Sequence, residues 1–507
     1  MTEREFALDV VRTLQKAGYT ALWAGGCVRD EFLGLTPQDY DVATSARPEQ
    51  LRPLFRRRNE IGAHFGVVQV IGPRSDDGEW LTVEVATFRS DGTYTDGRRP
   101  DAVTFSSPEE DAQRRDFTIN GMFFDPVKAE VIDFVGGRAD LDAKLLRAIG
   151  DPVARFTEDK LRILRAARMA TRFALTIDPI THAAAIRMAA QIRVVSAERI
   201  GEELRKLLVH PNRARGLRLL RELKLVEPIL PELVPTYTLP QGLPAAPTGS
   251  LWDHTVRVME CLSLPTPGPS HCSHHAPRDD LRGGRVGKGS EESTPNPLPH
   301  EDHHAERDDY NGVGGVGSVS FPLAFAAVLH DVGKPRVFAR TAARYTFHGH
   351  EKVGAEMTAR IAERLRLSNA EATRLCWLVE KHQYLAEAPT MRMSRLKPIL
   401  VHPGIGELLA LHRADALASG KGLEHVEFCE RLLREMPPEE LNPPPVLTGE
   451  DLIAQGLKPG PAFKRLLDAV REAQLEGRAT SKAQAHALLR ELLAEPPHEP
   501  PESSGQP

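Results

Sequence analysis

Hydrophobic and polar residues follow two different periods along the chain, and the change of period divides it. Between residues 1 and 150, strand-like apolar runs at Thr20–Ala24, Val67–Ile71 and Leu81–Phe88 lie among helical patterns, the first of which ends at Gly18. From about 158 to 234, and again from Leu251 to about 435, the apolar spacing is helical throughout. The pattern predicts an α/β domain followed by mostly α-helical domains.

Proline-rich and polar stretches mark the expected boundaries. They predict domains over 1–150, 151–245 and 246–440, a helical tail over 441–495 and a disordered end over 496–507. Residues 265–318 are rich in Pro, Gly, Ser, His and charge, which is typical of a disordered insertion. Its possible metal ligands are His271, Cys272, His274, His275, His300, His303 and His304. A metal site is conceivable there, but the irregular spacing favours a solvated loop.

Composition narrows the class of protein. The chain has 507 residues, 41% hydrophobic and 27% charged, and no apolar run long enough to span a membrane. Its five cysteines form no CxxC pair, and its N-terminus lacks the features of a signal peptide. We therefore expect a cytoplasmic protein in a reducing compartment. Residues 155–224 hold 16 Lys/Arg against 7 Asp/Glu, which indicates either a solvated helical surface or a binding site for a polyanion.

Two carboxylates stand one residue apart in the segment DYDVA. The period of a strand would put Asp39 and Asp41 on the same face, where like charges are costly unless a cation lies between them. Glu84 lies in the apolar run LTVEVATF, either as a third carboxylate on a neighbouring strand or as a solvent-facing residue. Two or three such carboxylates are what a pair of Mg²⁺ ions needs.

A glycine turn precedes these carboxylates. Gly25 and Gly26 would let backbone N–H groups approach a phosphate, and Arg29 would add a cation beside it. Together the two segments predict a site for a metal-bound nucleoside triphosphate.

A third constellation is the segment EDKLRILRAAR, residues 158–168. With Thr157 as N-cap, a helix would present Asp159, Arg162 and Arg165 on one face. The set could be an intrahelical ion pair on the surface. Alternatively, a carboxylate that accepts from an amino group and an arginine that donates to a ring nitrogen would suit cytosine and adenine and exclude guanine and uracil.

Four blocks in order carry a resemblance: GGCVRD with DYD (residues 25–41), RRDFTIN (114–120), EDKLRILRAAR (158–168) and RIGEEL (199–204). They resemble the class II tRNA nucleotidyltransferase / poly(A) polymerase family, whose catalytic domain has a polymerase-β-like nucleotidyltransferase fold. The resemblance implies that Asp39 and Asp41 are catalytic and bind Mg²⁺, with Glu84 as a further catalytic candidate. It implies that Asp159 and Arg162 read the base, while Arg115, Arg165 and Arg168 contact the triphosphate or orient the readers.

The segment Arg89–Pro100 has the composition of a mobile loop. It resembles the flexible loop that family members need to switch from C to A addition.

A second set of ligand-type residues follows in the helical region. The apolar run Phe321–Leu329 leads into HDVGK, and the order of histidines and aspartates resembles the HD phosphohydrolase superfamily. The resemblance implies an all-α HD domain whose divalent metal (Mg, Mn, Ni or Co) is held by His254, His330, Asp331 and Asp415. His350 and His382 would complete a second metal site.

The expected function is therefore addition of C, C and A to the 3′ end of tRNA from CTP and ATP, with a possible HD phosphohydrolase activity. The alternatives are an enzyme that adds only A, or a poly(A) polymerase, although family poly(A) polymerases usually lack the HD domain. A different class is an HD phosphohydrolase with a degenerate polymerase half, and a further one is a non-catalytic RNA-binding protein. The oligomeric state stays open.

Overall fold

The computed structural model describes residues 1–60, 66–75, 78–91, 103–244, 246–262 and 319–494. They form two compact units, one of residues 1–231 and one that begins at Glu232. The predicted insertion 265–318 with its seven possible ligands, the terminus 496–507 and the loop residues 92–100 lie outside the described residues.

The first unit begins with an α/β region. In chain order its elements are α1 (Glu3–Lys16), β1 (Ala21–Ala24), α2 (Gly26–Phe32), β2 (Asp41–Thr44), α3 (Pro48–Leu51), β3 (Arg58–Asn59), β4 (Val67–Arg74), β5 (Trp80–Thr87), β6 (Arg89–Asp91), β7 (Val103–Phe105), α4 (Pro108–Gln113), β8 (Phe123–Asp125), β9 (Glu130–Ile132), α5 (Gly137–Asp142) and β10 (Leu145–Leu146). The three strands predicted from the sequence are all present.

Seven of these strands form one mixed sheet in the order β3-β4-β5-β2-β1-β8-β9. The β2–β5 pair is parallel, and the other neighbours are antiparallel. Helix α1 begins with a capping box on Thr2 and packs its buried apolar side, which includes Phe6 and Val10, against β1, β2 and β5. One face of the sheet is therefore covered by α1, and part of the opposite face is covered by a smaller apolar cluster that includes Ala43, Ala112 and Phe123.

The rest of the first unit is helical, as predicted. It comprises α6 (Pro152–Glu158), α7 (Leu161–Arg172), β11 (Thr176–Ile177), α8 (Pro179–Met188), α9 (Ala197–Val209), α10 (Arg213–Glu222) and α11 (Val226–Ile229). Helix α7 is the centre of this region and packs against α9 and α10.

The prediction of one helix through Glu158–Arg168 is wrong. Helix α6 ends at Glu158, and Asp159 has the extended backbone conformation φ −141°, ψ 110° before α7 begins. Thr157 is not an N-cap, because it lies inside α6 and its hydroxyl donates to the Val153 carbonyl. The Asp159 side chain instead accepts the Leu161 N–H, which is a local bond that competes with helix continuation.

The second unit is almost entirely helical. Its elements are β12 (Pro240–Leu243), β13 (Ala246–Ser250), α12 (Leu251–Cys261), α13 (Phe321–Leu329), α14 (Lys334–Val337), β14 (Ala339–Arg340), β15 (Tyr345–Thr346), α15 (His350–Arg364), α16 (Asn369–Lys381), α17 (Met393–Leu400), α18 (Ile405–Ala418), α19 (Glu424–Glu435), α20 (Pro438–Leu441), α21 (Gly449–Ala454), α22 (Pro461–Leu475) and α23 (Lys482–Ala494). Helix α13 is the predicted apolar run and is buried on almost all sides between α12, α16 and α18.

The C-terminal helices α21, α22 and α23 share a small apolar core of their own, which includes Leu452, Val470 and Leu489. Helix α22 also packs against α17. The predicted fold class, α/β followed by mostly helical domains, is confirmed. No helix among the described residues is both long enough and apolar enough to cross a lipid bilayer.

Gly333 lies where two backbone segments of the second unit approach each other closely. A Cβ added there would lie 2.2 Å from the His350 carbonyl oxygen and 2.7 Å from the Gly354 nitrogen, both of which are backbone atoms of α15. A side chain at this position must therefore push α15 away from α14.

We expect Gly333→Ala to destabilise the protein by about 1–3 kcal/mol, as overpacking of a filled interior does. Gly406→Ala is the matched control, because nothing lies within 4 Å of its added Cβ and alanine favours the helix. Thermal unfolding followed by circular dichroism would measure both. An unchanged midpoint for Gly333→Ala would contradict the close approach of α14 and α15.

Candidate functional site

A row of residues runs across the face of the sheet that lies opposite α1. Phe123 pairs with Ala24, and Ala24 pairs with Asp41. In the parallel β2–β5 ladder, Val42 pairs with Val85. Asp41 and Glu84 each come one residue earlier on their strands, so they stand side by side on the same face of the sheet. Of the two interpretations of Glu84, the structure supports the third carboxylate on a neighbouring strand.

Asp39 lies just before β2, two residues ahead of Asp41. Tyr40 between them is buried and packs its ring 4.8 Å from that of Trp23, on the side of the sheet that α1 covers. Asp39 and Asp41 are both partly exposed. The alternation places the two carboxylates opposite Tyr40, on the face that also carries Glu84.

The glycine turn lies beside these carboxylates. Gly25 precedes α2 with φ +69° and ψ −121°, a conformation that only glycine adopts without strain, and its N–H donates to the Met122 carbonyl. Burial and the negative charges of Asp41 and Asp39 raise the pKa of the Cys27 thiol, which sits in the first turn of α2. Both carboxylates are thus close to the start of the helix that Gly26 begins.

The structure corrects the expectation for Arg29. Its side chain is fully buried, donates from Nε to Asp30 (2.8 Å) and from Nη1 to Asn120 (2.6 Å), and lies 4.3 Å from the centre of the Phe173 ring. A buried guanidinium with these neighbours is not placed to contact a phosphate. It positions the glycine turn against the block that contains Asn120.

Arg115 lies at the open face. Its guanidinium donates to Asp111 (3.1 Å) and to the Asn120 carbonyl (3.1 Å), and it stands 5.1 Å from the ring centre of Phe123, the residue at the end of the carboxylate row. The side chain keeps one fifth of its surface exposed. Of the arginines in the first two blocks, Arg115 is therefore placed near the carboxylates.

Asp159 and Arg162 flank the turn between α6 and α7. Asp159 accepts from Arg199 of α9 at 2.7 and 3.3 Å, whereas Arg162 donates to Glu158 at 2.6 Å and to the Arg114 carbonyl. Both side chains are partly exposed. They do not share a helix face, but the turn brings them to the same end of α7, next to the RRDFTIN block.

Arg165 and Arg168 point into the protein from α7. Arg165 pairs with Asp116 at 2.8 Å, and Arg168, only 2% exposed, pairs with Glu203 at 2.6 Å. For Arg168, the structure favours a role in orienting the turn between α6 and α7 over a role in contacting the triphosphate. Burial alone would raise the pKa of Asp116, but Arg165 and Arg162 hold that pKa below its usual range.

Three residues of this site carried no role in the sequence prediction: Asp116, Arg199 and Glu203. Each lies within a block that the resemblance quotes, and each neutralises an arginine or aspartate that was singled out. The feature of the sequence that could have identified them is their place in those blocks. Their partners depend on how α7 and α9 pack.

The second unit brings all six predicted HD residues together. His254 Nε2 lies 3.0 Å from Asp415 Oδ1 and 3.3 Å from His330 Nε2. His330 Nε2 lies 3.2 Å from Asp331 Oδ2, and the other oxygen of Asp331 lies 3.2 Å from His350 Nε2 and 3.5 Å from His382 Nε2. Two groups could each hold a metal ion, His254–His330–Asp331 and Asp331–His350–His382, and they share Asp331.

Backbone carbonyls orient three of these histidines. Nδ1 of His330, His350 and His382 lies 3.0, 2.8 and 2.6 Å from the carbonyl oxygen three residues earlier in each case. Because a carbonyl can only accept, each Nδ1 carries a proton, and Nε2 is the ring nitrogen that each histidine turns toward Asp331. Metal-ligating histidines are oriented in this way.

Asp331 is the centre of the cluster. Burial alone would raise the pKa of its carboxyl, but the charges of His330 and Lys334 hold that pKa well below its usual range. Lys334 Nζ lies 2.6 Å from Asp331 Oδ2, a contact that the sequence prediction did not assign although Lys334 is part of HDVGK. Oδ1 is buried and accepts no well-formed hydrogen bond from any described residue. An oxygen of that kind fits a metal ligand.

The donor sets of the two clusters differ. Asp39, Asp41 and Glu84 offer only carboxylate oxygens on a partly exposed sheet face, which fits a hard cation that keeps several waters, such as Mg²⁺. The second cluster offers imidazole nitrogens and carboxylates in a buried setting, which fits a first-row transition metal as well.

Three family comparisons agree with these units. Residues 21–147 match the poly A polymerase head domain, and residues 174–236 match the "Probable RNA and SrmB- binding site of polymerase A". Residues 319–420 match the HD domain.

Among curated relatives, the CCA-adding enzyme of Levilactobacillus brevis is 44% identical over 216 residues, which are 42% of this chain and 53% of that protein. Poly(A) polymerase I of Salmonella typhi is 39% identical over 249 residues, which are 46% of this chain and 51% of that protein. The chain thus spans about half the length of the curated relatives that it matches.

Solved structures show the same fold over almost the whole chain. The Bacillus stearothermophilus CCA-adding enzyme in complex with CTP superposes with a TM-score of 0.57 at 24% identity, over 97% of this chain and 98% of that one. The Thermotoga maritima CCA-adding enzyme complexed with tRNA has a TM-score of 0.55 at 18% identity, over 96% and 95%.

From the four sequence blocks, the carboxylate row and these matches, the chain has the fold of CCA-adding enzymes, and it carries segments that match the poly A polymerase head domain, the probable RNA- and SrmB-binding site of polymerase A and the HD domain.

Proposed function

We propose that this chain adds C, C and A to the 3′ end of tRNA, using CTP and ATP and no nucleic-acid template. The observation that carries the proposal is the row in which Asp41 and Glu84 stand side by side, with Asp39 next to them and the glycine turn beside them. The relatives named CCA-adding enzymes share this domain, and the names of solved neighbours include CTP, ATP and tRNA.

Asp39, Asp41 and Glu84 would hold Mg²⁺, which when bound supplies activation of the attacking hydroxyl and charge neutralisation at the triphosphate. The chain's own residues would orient the nucleotide. The amides at the start of α2, from Gly26 onward, would approach the phosphates, and Arg115 would donate to them from the other end of the row. Arg29 would keep the turn in place from inside the protein.

The pair at the α6–α7 turn would select the base. Asp159 would accept from the amino group of cytosine or adenine, and Arg162 would donate to the adjacent ring nitrogen. In the absence of a base, Asp159 is held by Arg199 and Arg162 by Glu158. These partners keep both side chains near the turn, so little rearrangement is needed when a nucleotide replaces them. Arg165 and Arg168 would support the turn through Asp116 and Glu203.

Addition of A alone and poly(A) synthesis use the same chemistry. Relatives named poly(A) polymerase I share 39% identity, close to the 40–44% of several relatives named CCA-adding enzymes. The HD match favours CCA addition, since the resemblance implies that poly(A) polymerases of this family usually lack that domain. Separate tRNAs that end before the first C, before the second C and before the A, each offered one nucleotide at a time, would distinguish the three.

The HD cluster supports a second activity, metal-dependent hydrolysis of a phosphate ester. His254, His330, Asp331 and Asp415 would hold one divalent ion, and Asp331 with His350 and His382 a second. A divalent ion held there supplies Lewis-acid activation of water and phosphate. We further propose that the protein acts in the cytoplasm, where its tRNA substrate is.

For the polymerase site, we expect Asp39→Asn and Asp41→Asn each to lower CTP incorporation into truncated tRNA by about 10²–10³-fold or more, because a site that stabilises developing charge is lost. Asp9→Asn is the control, an exposed aspartate on α1 that pairs only weakly with Arg12. Primer extension in Mg²⁺ measures all three. Full activity of the Asp39 and Asp41 variants would refute the proposed function.

For base selection, we expect Asp159→Asn to lower the preference for CTP and ATP over UTP and GTP by about tenfold to a hundredfold, since one to two matched hydrogen bonds are lost. Arg199→Gln should give a smaller loss, because it only releases Asp159. Asp142→Asn, an exposed aspartate of α5, is the control. The ratio of kcat/KM between nucleotides is the measurement, and an unchanged ratio in Asp159→Asn would contradict this assignment.

Loss of a hydrogen-bond partner of a metal ligand lowers metal affinity by about 10- to 100-fold. For the HD site, we expect Asp331→Asn to lower the affinity for a divalent metal by more than this. Phosphoesterase activity should fall with it, and nucleotide addition should be unchanged. His348→Ala, an exposed histidine two residues before His350, is the control. Isothermal titration with Ni²⁺ or Mn²⁺ measures the affinity. Equal metal binding in Asp331→Asn and His348→Ala would rule out the cluster.

A further inference from the structure

The sheet face that carries Asp41 and Glu84 extends along β5 and onto β4, whose register with β5 shifts between Ile71 and Arg74. On β5, Trp80, Thr82 and Glu84 alternate with the buried Leu81, Val83 and Val85, so the first three share the face opposite α1. On β4, Gln69 pairs with Glu84 and Ile71 with Thr82. Trp80, at the start of β5, therefore stands on the catalytic face.

Trp80 is 46% exposed, which is unusual for the largest apolar side chain. Two guanidinium groups accompany it: the central carbons of Arg57 and Arg74 each lie 5.0 Å from the ring centre. Arg74 is also its partner across the β4–β5 ladder. The indole and the two cations thus form one exposed cluster at the end of the sheet face.

Arg57 and Arg74 differ from the neighbouring arginines in whether a carboxylate pairs with the guanidinium group. Arg52 and Arg58 both pair with Glu60, at 2.9 and 2.7 Å. Neither Arg57 nor Arg74 forms an ion pair with a carboxylate among the described residues, and both are exposed. The cluster therefore combines an open aromatic ring with two positive charges that no carboxylate balances there.

This combination matches the chemistry of single-stranded RNA. Proteins hold unpaired strands by stacking bases on aromatic rings while cations contact the phosphates. A guanidinium over an exposed ring is held weakly, and a base stacks on it more strongly. A base can therefore replace one guanidinium on the indole, and the displaced arginine can bind the adjacent phosphate.

The position agrees with a strand that leads to the carboxylates. Trp80 and Glu84 are four residues apart on one strand, about 13 Å at the usual rise per residue. A short stretch of unpaired RNA spans that distance. Among the described residues of β4 and β5, those that lie between them on the same face are Thr82, Gln69 and Ile71, with small or medium side chains.

We propose that Trp80, with Arg57 and Arg74, is a stacking site for a base of the unpaired RNA strand whose 3′ end reaches Asp39, Asp41 and Glu84. The site binds the acceptor strand upstream of its terminal nucleotide and takes no part in the chemistry. This inference rests on the proposed function, because it specifies how the acceptor of that reaction is held.

The kinetic test compares Trp80→Ala, Trp80→Phe and Arg52→Gln. We expect Trp80→Ala to raise KM for a truncated tRNA about tenfold, the loss of one stacked base, with kcat and KM for CTP unchanged. Trp80→Phe keeps a ring and should stay within about threefold of the parent. Arg52→Gln removes a nearby charge outside the cluster and should leave KM for tRNA unchanged.

The binding test uses the indole itself. Of the four tryptophans, Trp23 and Trp252 are buried, at 1% and 2% exposure, and Trp377 of the second unit is stacked on His402 with ring centres 3.7 Å apart. An oligoribonucleotide ending in CC should therefore quench mainly Trp80. The quench should disappear in Trp80→Phe. For each of the variants Arg57→Gln and Arg74→Gln, log affinity is plotted against log salt concentration. The slope of this plot should be smaller in magnitude than that of the parent by about one unit.

The outcomes separate the two proposals. If the parent protein adds no nucleotide to any tRNA, the proposed function fails. If it adds nucleotides while Trp80→Ala keeps the parent KM for tRNA, and the quench persists in Trp80→Phe, the stacking site is wrong and the proposed function stands. Equal effects in Trp80→Ala and Arg52→Gln would also overturn the stacking site.

Discussion

The first unit depends on a connected set of buried charges. A charge taken out of water is costly unless a partner and hydrogen bonds accompany it, so each member requires the next. The members alternate in sign, apart from one amide that bridges two of them: Asp30, Arg29, Asn120, Asp116, Arg165, Glu203 and Arg168. The set joins α2, the RRDFTIN block, α7 and α9. The glycine turn and the turn that carries Asp159 are therefore held by the same interactions.

The two clusters of the chain use their polar groups differently. In the buried set, each guanidinium lies against a carboxylate, so the charges are balanced within the protein. Around Asp331, His350 and His382 turn Nε2 toward Oδ1, a buried carboxylate oxygen that lacks a well-formed hydrogen bond among the described residues. Buried polar groups that repel one another, or that leave one another without a hydrogen bond, are stable only when a bound ligand lies between them. This contrast separates structural polar residues from ligands.

The contrast also explains why so many arginines of the basic segment are not surface charges. Arg162, Arg165, Arg168 and Arg199 each pair with a carboxylate inside the first unit. The excess of positive charge in residues 155–224 is thus partly structural. Charges that no carboxylate balances among the described residues, such as those beside Trp80, are better indicators of where RNA lies.

The sequence by itself determined the class of fold, the strands around the carboxylates, the apolar helix before HDVGK and the six HD residues, because these depend on local period and on short motifs. It did not determine which face Glu84 occupies, since strand register relative to Asp41 is set by pairing between segments over forty residues apart. Nor could it show that Arg29 and Arg168 are buried, because burial of an arginine depends on partners from other elements. The break at Asp159 was missed for the same reason: a side chain from α9 and a local bond to Leu161 outweigh the helical period.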